Sequence, residues 1–246
     1  MKIILRTFGG FGNQLFQYFF SFNLASYKKI NSIYSTHDKN YPHKFTLENS
    51  LDIFKKPSDM ENFVSNLRIP MALNRLGIMK KGYLNIGKVY FIDGYFQDLN
   101  NYADFSEDHL SHSMHHLKSI LNIQKAKPEK FCVNHLRLGD FFTSESLQRE
   151  YIENKISNLE PDSDIITNRQ DLFKERKIED ILQNLNISLI NTENDSPKDL
   201  IERMSKYKII KSNDSTLAFW AALLQKRDLE VKSENLKMIY DVLKEI

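Results

Sequence analysis

Cysteine is nearly missing from this chain of 246 residues: Cys132 is the single one, so no internal disulfide can form. It lies in the apolar run Phe131-Cys132-Val133, the setting of a buried strand thiol rather than of a nucleophile. An excess of either charge is missing too. There are 34 Lys and Arg against 32 Asp and Glu, which speaks against a nucleic-acid partner, since such surfaces carry a clear basic excess. No stretch of about 18 residues is free of polar groups, so no segment is expected to span a membrane. Before Arg6 stand only the aliphatic Ile3, Ile4 and Leu5, too few for a signal-peptide core, and the cytoplasm is the expected compartment. Metal-ligand spacing is lacking as well. His109, His112, His115 and His116 read as a polar helix face whose phase scatters them. Asp162-Ser163-Asp164 has the Asp-x-Asp spacing of metal sites but precedes an apolar strand instead of ending one. No metal and no cofactor are expected. Internal repeats and low-complexity tracts are absent.

What is present suits a sizeable core: 41% of residues are apolar, with Phe 17 times and Tyr 11 times. Ile3 to Arg6 reads as a strand, Gly9-Gly10-Phe11-Gly12 as a turn, and residues 13 to 28 as a buried helix. Further strands are expected at 31–35 and 89–96. Residues 36 to 50 read as loop, residues 51 to 80 as irregular helix and residues 106 to 121 as helix. The polar, proline-containing stretch 122 to 130 is the candidate boundary between domains 1–125 and 126–246. Beyond it, strands are expected at 131–137, 163–167, 186–190 and 208–211, and helices at 170–184, 197–206, 215–226 and 234–246. The last helix is a candidate to pack back on the first domain. Strands that alternate with helices imply α/β domains with mostly parallel sheets.

Three segments could carry chemistry. Glycines at 9, 10 and 12 let the backbone turn sharply, and the helix start behind them, with Asn13 and Gln14, offers N–H groups to an anion. A plain tight turn explains the same residues, and Leu15 stands where a dinucleotide fingerprint has its third glycine. His135, Arg137 and Asp140 end the strand that begins at Phe131, where parallel sheets bind ligands. Alternation puts His135 and Arg137 on one side, and the planar fork of arginine suits phosphate oxygens. An ordinary strand end with Arg137 paired to Asp140 is the competing reading. Asp214, Ser215, Thr216 and Leu217 open a helix that is apolar on all sides, again a ligand-facing terminus or a simple cap.

Taken together these segments resemble a family. Gly9-Gly10-Phe11-Gly12-Asn13-Gln14-Leu15-Phe16-Gln17-Tyr18 is similar to the N-terminal signature of the family 11 glycosyltransferases, the α-1,2-fucosyltransferases of bacterial polysaccharides. Asp93-Gly94-Tyr95-Phe96-Gln97 resembles their Gly-Tyr-Phe-Gln strand, and His135 to Phe141 their His-x-Arg-Arg-x-Asp-Tyr motif. Asp214 to Leu224 resembles their Asn-Ser-Thr-Phe-Ser-Trp-Trp-Ala-Ala segment. The resemblance implies a GT-B-like arrangement of two Rossmann-like domains with mostly parallel sheets facing a cleft. The C-terminal domain would bind the donor, GDP-fucose or a related GDP-deoxysugar. Transfer would invert the anomeric centre without a metal, onto the 2-hydroxyl of a galactoside-type oligosaccharide acceptor. That acceptor would be lipid-linked at the inner membrane face, in O-antigen synthesis, with peripheral membrane association.

The same resemblance makes Arg137 and His135 the phosphate-facing catalytic groups and Glu145, on a loop 142–147, the candidate base. Gly10, Phe11, Gly12, Asn13, Gln14, Asp140, Asn168, Asp214, Ser215, Thr216 and Leu217 become donor-binding residues, Asn168 at the guanine edge. Leu138 departs from the pattern, since the family has a second arginine there, and Thr167-Asn168-Arg169 stands for its Ser-Asp-Asp. Three alternatives stay open: another donor such as GDP-colitose, a non-catalytic nucleotide-sugar-binding module, and a nicotinamide dehydrogenase. The last is disfavoured because Asp38, the nearest acid after the glycine turn, comes late and in loop.

Overall fold

The structure is a computed structural model and describes residues 1–37, 45–50, 54–76, 82–138, 144–174 and 176–246. The chain forms two compact units, residues 1–124 with 238–246, and residues 125–237.

The first unit is built around β1 (Lys2–Thr7). Ile3, Ile4 and Leu5 are fully buried, as an interior strand covered on both faces requires. Behind it come α1 (Phe11–Lys28), β2 (Ile33–His37), α2 (Leu47–Ser50), α3 (Asp59–Asn66), α4 (Ile69–Arg75), β3 (Tyr83–Ile86), β4 (Val89–Ile92) and α5 (Glu107–Ile120). The sheet order is β2-β1-β4-β3; β1 is parallel to β2 and β4, and β3 is antiparallel to β4. The sequence expects one strand over 89–96, but β4 stops at Ile92. Asp93 to Gln97 is loop, with Phe96 left-handed at φ 54° and its ring stacked 4.0 Å from Phe20. The Gly-Tyr-Phe-Gln segment is therefore no strand here.

The histidines of α5 also correct an expectation. His109, His112 and His116 follow i, i+3, i+7 spacing and share one face. That face packs on α1: His116 stacks on Phe22 at 3.9 Å, and its Nε2 lies 2.8 Å from the Tyr18 hydroxyl. Burial and the neighbouring His112 lower the His116 pKa.

The second unit contains β5 (Lys130–Leu136), α6 (Glu145–Ile156), β6 (Asp164–Thr167), α7 (Arg176–Asn184), β7 (Ser188–Leu189), α8 (Pro197–Met204), β8 (Tyr207–Ser212), α9 (Thr216–Leu224) and β9 (Asp228–Glu230). α10 (Glu234–Glu245) follows, and from Met238 on it belongs to the first unit. All pairings in the order β7-β6-β5-β8-β9 are parallel. Both units are thus α/β with mostly parallel sheets, as alternating strands and helices predict.

The helix expected over 170–184 is broken. A 3-10 turn covers Gln170–Phe173 before α7 begins. α8 starts as its sequence dictates: Pro197 takes the first position, and Ser196 and Asp199 form a reciprocal capping box. α9 is buried on nearly every side, Trp220 completely. The chain runs β5-β6-β7 towards one sheet edge, then returns to β8 and β9 on the other side of β5. The crevice beyond the ends of β5 and β8 is the topological switch point, where open parallel sheets take ligands.

Candidate functional site

At that switch point the backbone after β5 is held by two asparagine side chains. The Asn213 Oδ1 accepts from the Arg137 N–H at 3.1 Å, and its Nδ2 donates to the Arg137 carbonyl at 3.1 Å. Asn168 does the same to Leu138, with distances of 2.8 and 3.0 Å. Each amide replaces one rung of a β-ladder, so the strand end stays rigid where its backbone partners have run out. Asn168, placed by the resemblance at the guanine edge, thus has both oxygen and nitrogen on Leu138. Leu138 itself is fully buried in the cluster with Ile152, Ile156, Leu172 and Phe173. The side chain that stands for the family's second arginine is a core anchor.

His135 lies opposite Ile166 and Ser212 in the sheet register. It is 6% exposed, and its Nδ1 is buried without a hydrogen-bond partner. Burial first, and the Arg137 guanidinium second, push its pKa down to about 4. At neutral pH it is therefore an uncharged imidazole, a hydrogen-bonding group rather than a second cation. A buried, unsatisfied nitrogen at a ligand-binding edge is costly unless something fills it.

The N-terminus of α9 completes this edge. Ser215 is its cap and accepts from the Ala218 N–H at 3.4 Å, while the Ser212 Oγ accepts from the Ser215 N–H at 3.1 Å. Thr216 is buried and Leu217 half-buried. Asp214 is left-handed at φ 66°, and its Oδ1 accepts from the N–H groups of Lys232 and Ser233 at 2.9 and 2.6 Å. It pins the turn behind β9.

Glu145 is not on a loop: Ser144 caps α6 and Glu145 is its first residue. It is exposed and pairs with Arg169 at 3.3 Å and Arg149 at 3.9 Å. Asp140 lies outside the described residues. Asp164 opens β6 and receives the Lys130 ammonium and the Tyr207 hydroxyl, each at 2.5 Å. Cys132 is buried, which pushes its thiol pKa up to about 11.

In the first unit the glycine turn is held from within its own helix. Gly9 has φ 75°, and a Cβ there would come within 2.9 Å of the Asn13 amide nitrogen, so the turn requires glycine. Gly10 is the α1 cap with open space around it. The fully buried Gln17 accepts from the Phe8 N–H at 3.1 Å and donates to the Phe8 carbonyl at 3.2 Å. Gln14, equally buried, donates to the Gly9 carbonyl and accepts from the Leu47 N–H, both at 2.8 Å. Phe11 and Gly12 are buried, and the Asn13 Oδ1 accepts from Gln97 at 2.8 Å.

Next to this turn lies a charged cluster that sequence reasoning missed. Arg6 and Asp93, each 2% exposed, pair at 3.4 Å, and Arg68 approaches the second Asp93 oxygen at 3.7 Å. Both guanidinium groups lie over the Phe8 ring, at 5.6 and 5.3 Å. Burial raises the Asp93 pKa against the opposing pull of the two arginines. The signal was present: Arg6 directly follows Ile3-Ile4-Leu5, and Asp93 directly follows Tyr90-Phe91-Ile92.

No family model matches the chain, and a comparison with curated proteins finds no match. Among solved structures it is similar to the NodZ α-1,6-fucosyltransferase co-crystallized with GDP, at 12% identity and a TM-score of 0.43, over 91% of this chain and 92% of that one. It is similar to POFUT1 in complex with GDP at 11% identity and a TM-score of 0.40, over 94% and 97% of the two chains. The E. coli heptosyltransferase WaaC with ADP aligns at 9% identity and a TM-score of 0.36, over 100% and 99%. Likeness at this distance assigns no activity, and the α/β description rests on the strand order itself.

Proposed function

We propose that the chain is a metal-independent glycosyltransferase of the GT-B kind that takes its donor from a nucleotide sugar. In the finer form it moves L-fucose from GDP-fucose, with inversion, to the 2-hydroxyl of a galactoside-type acceptor in surface polysaccharide synthesis, as the sequence resemblance to family 11 suggests. The observation that carries the donor-binding part is the clamped strand end. Asn168 and Asn213 fix the backbone of residues 137 and 138. Arg137 therefore leaves a rigid point beside the neutral, unsatisfied His135 and the α9 N-terminus.

In such a transfer the acceptor hydroxyl attacks the anomeric carbon from the side opposite the nucleotide. The bond from that carbon to the β-phosphate oxygen breaks, and negative charge grows on the phosphate. Arg137 meets that charge with a planar pair of N–H donors, the α9 N-terminus adds its dipole, and His135 can contribute an uncharged N–H. Glu145 is the candidate acceptor of the hydroxyl proton and would leave Arg169 to reach it.

Calorimetric titration with GDP, and turnover of GDP-fucose by the wild type and Arg137→Ala, test this. The expected loss is on the order of 10²-fold in turnover, because a preorganised contact to developing charge is removed. A folded Arg137→Ala variant with unchanged turnover would end the proposal. A panel that includes GDP-colitose identifies the sugar. Leu138, a core residue in place of an arginine, favours one second reading, a non-catalytic nucleotide-sugar-binding module. GDP binding without turnover would select it.

A further inference from the structure

The sheet of the second unit carries another polar hollow, on the opposite face of β5 from His135. The register sets Asn134 of β5 beside Lys211 of β8, and Lys211 beside Glu230 of β9. Neighbours in register share a face, and Asn134 is adjacent in sequence to His135, so this row points the other way. α6 covers part of that face, since Leu136 packs with its Ile152 and Ile156. Past the helix the row opens into a cavity of about 210 Å³ lined by Asn134, Lys155, Lys211, Ser212, Glu230 and Lys232.

The charges in this hollow do not cancel. Lys211 is held between Glu160 at 2.8 Å and Glu230 at 3.3 Å, and these acids, Glu160 first, raise its pKa. Lys155 and Lys232 have no ion-pair partner among the described residues. Three ammonium groups thus face two carboxylates, an excess of one positive charge. The walls are fixed. Asp214 pins Lys232 and Ser233 through their N–H groups. The Ser212 oxygen already accepts from the Ser215 N–H, which leaves its own O–H to donate. Ammonium groups and a hydroxyl around a small volume suit a tetrahedral oxyanion. A planar carboxylate would prefer the fork of an arginine.

We propose that this cavity is a second anion site of the unit, one that takes the phosphate group of a small soluble phosphomonoester, with Lys155 and Lys232 as its principal contacts. No step of the proposed transfer uses it, so the two stand or fall separately.

Phosphorus NMR or calorimetry with glycerol 3-phosphate, in low salt and with GDP saturating, tests the site on the full chain. Saturable binding is expected, weakened about five- to tenfold by Lys155→Ala and likewise by Lys232→Ala, and unchanged in Arg137→Ala. Thermal melts that match the wild type confirm that the lysine variants fold. Equal binding by the wild type and the Lys155→Ala/Lys232→Ala double variant overturns the proposal, as does the absence of saturable binding. Loss in Arg137→Ala alone would move the phosphate to the other edge. Capture only on neutral vesicles doped with phosphatidic acid would make the lysines a surface patch and overturn the pocket as well. GDP affinity is read in a separate titration without glycerol 3-phosphate.

Discussion

Both units hold the chain rigid beyond a central strand by the same device, a carboxamide side chain that pairs with one residue's N–H and C=O. They differ in where the amide comes from. In the first unit Gln17 reaches back to Phe8 across nine residues of its own turn and helix. In the second, Asn168 and Asn213 reach in from the ends of neighbouring strands, 30 and 76 residues away. The first arrangement is local and fully buried, so it belongs to folding of the turn. The second joins three strand ends at the switch point and is only part-buried, so it fixes the edge from which Arg137 projects. Similar hydrogen bonds thus hold a core in one place and aim a side chain in the other.

The largest effect tests what surrounds the local clamp. Asp93→Ala removes the carboxylate shared by Arg6 and Arg68, and loss of one partner from a buried ion pair is expected to destabilise by about 3–5 kcal/mol. Urea unfolding of the variant measures it, and a shift under 1 kcal/mol, on the same scale, would show that water already reaches the cluster.

The clamps themselves come next. Gln17→Ala strands two buried backbone groups at about 1–3 kcal/mol each and should lower stability with little specific effect on donor affinity. Asn213→Ala should cost about 1 kcal/mol of stability, since water can replace a part-buried amide, yet weaken GDP binding more than Gln17→Ala does. Parallel melts and GDP titrations of the two variants decide. The reverse ranking would break the contrast between core clamp and aiming clamp.

A pH experiment sharpens the second edge. His135 has a folded pKa near 4 against an ordinary value of 6.5, so the unfolded chain binds its proton first as pH falls. Its contribution to stability is complete above about 6.5, declines through the window down to about 4, and is lost below it. His135→Gln should flatten that decline in urea unfolding followed across the window. A slope unchanged by the substitution would assign acid sensitivity elsewhere.

The smallest effects separate adjacent glycines. Gly9→Ala forces a Cβ against Asn13 at a left-handed position and should cost about 1–2 kcal/mol. Gly10→Ala has open space and an ordinary φ of −64°, and should stay within about 0.5 kcal/mol by thermal melt.

The same local-versus-distant contrast explains what the sequence reveals. The β1–turn–α1 unit is legible because its signals are contiguous: an apolar strand, glycines and an aromatic helix. α8 is legible from Ser196, Pro197 and Asp199 alone. α6 escaped because its buried stripe is only Gln148, Ile152 and Ile156 on an otherwise charged helix, so its start at Ser144-Glu145 read as loop. β9 escaped because three residues, Asp228–Glu230, carry no period. At the candidate site, strand alternation picks out His135 and Arg137 by type. The amide clamps from positions 168 and 213 depend on which strands become neighbours, and the neutral state of His135 depends on burial within the sheet. Neither follows from spacing along the chain. Leu138 could be seen as a departure but not as a core residue, because that requires the Ile152–Phe173 cluster around it.

An edge paired by side chains has a consequence for how such a molecule can change. A backbone ladder alters only when a strand is lengthened, shortened or shifted, which disturbs every residue along it. A ladder rung made by Asn168 or Asn213 can be removed, or exchanged for another polar group, by one codon, with the sheet left as it is. The stiffness of the segment that carries Arg137 is therefore a property selection can adjust in single steps, independently of the fold that supports it.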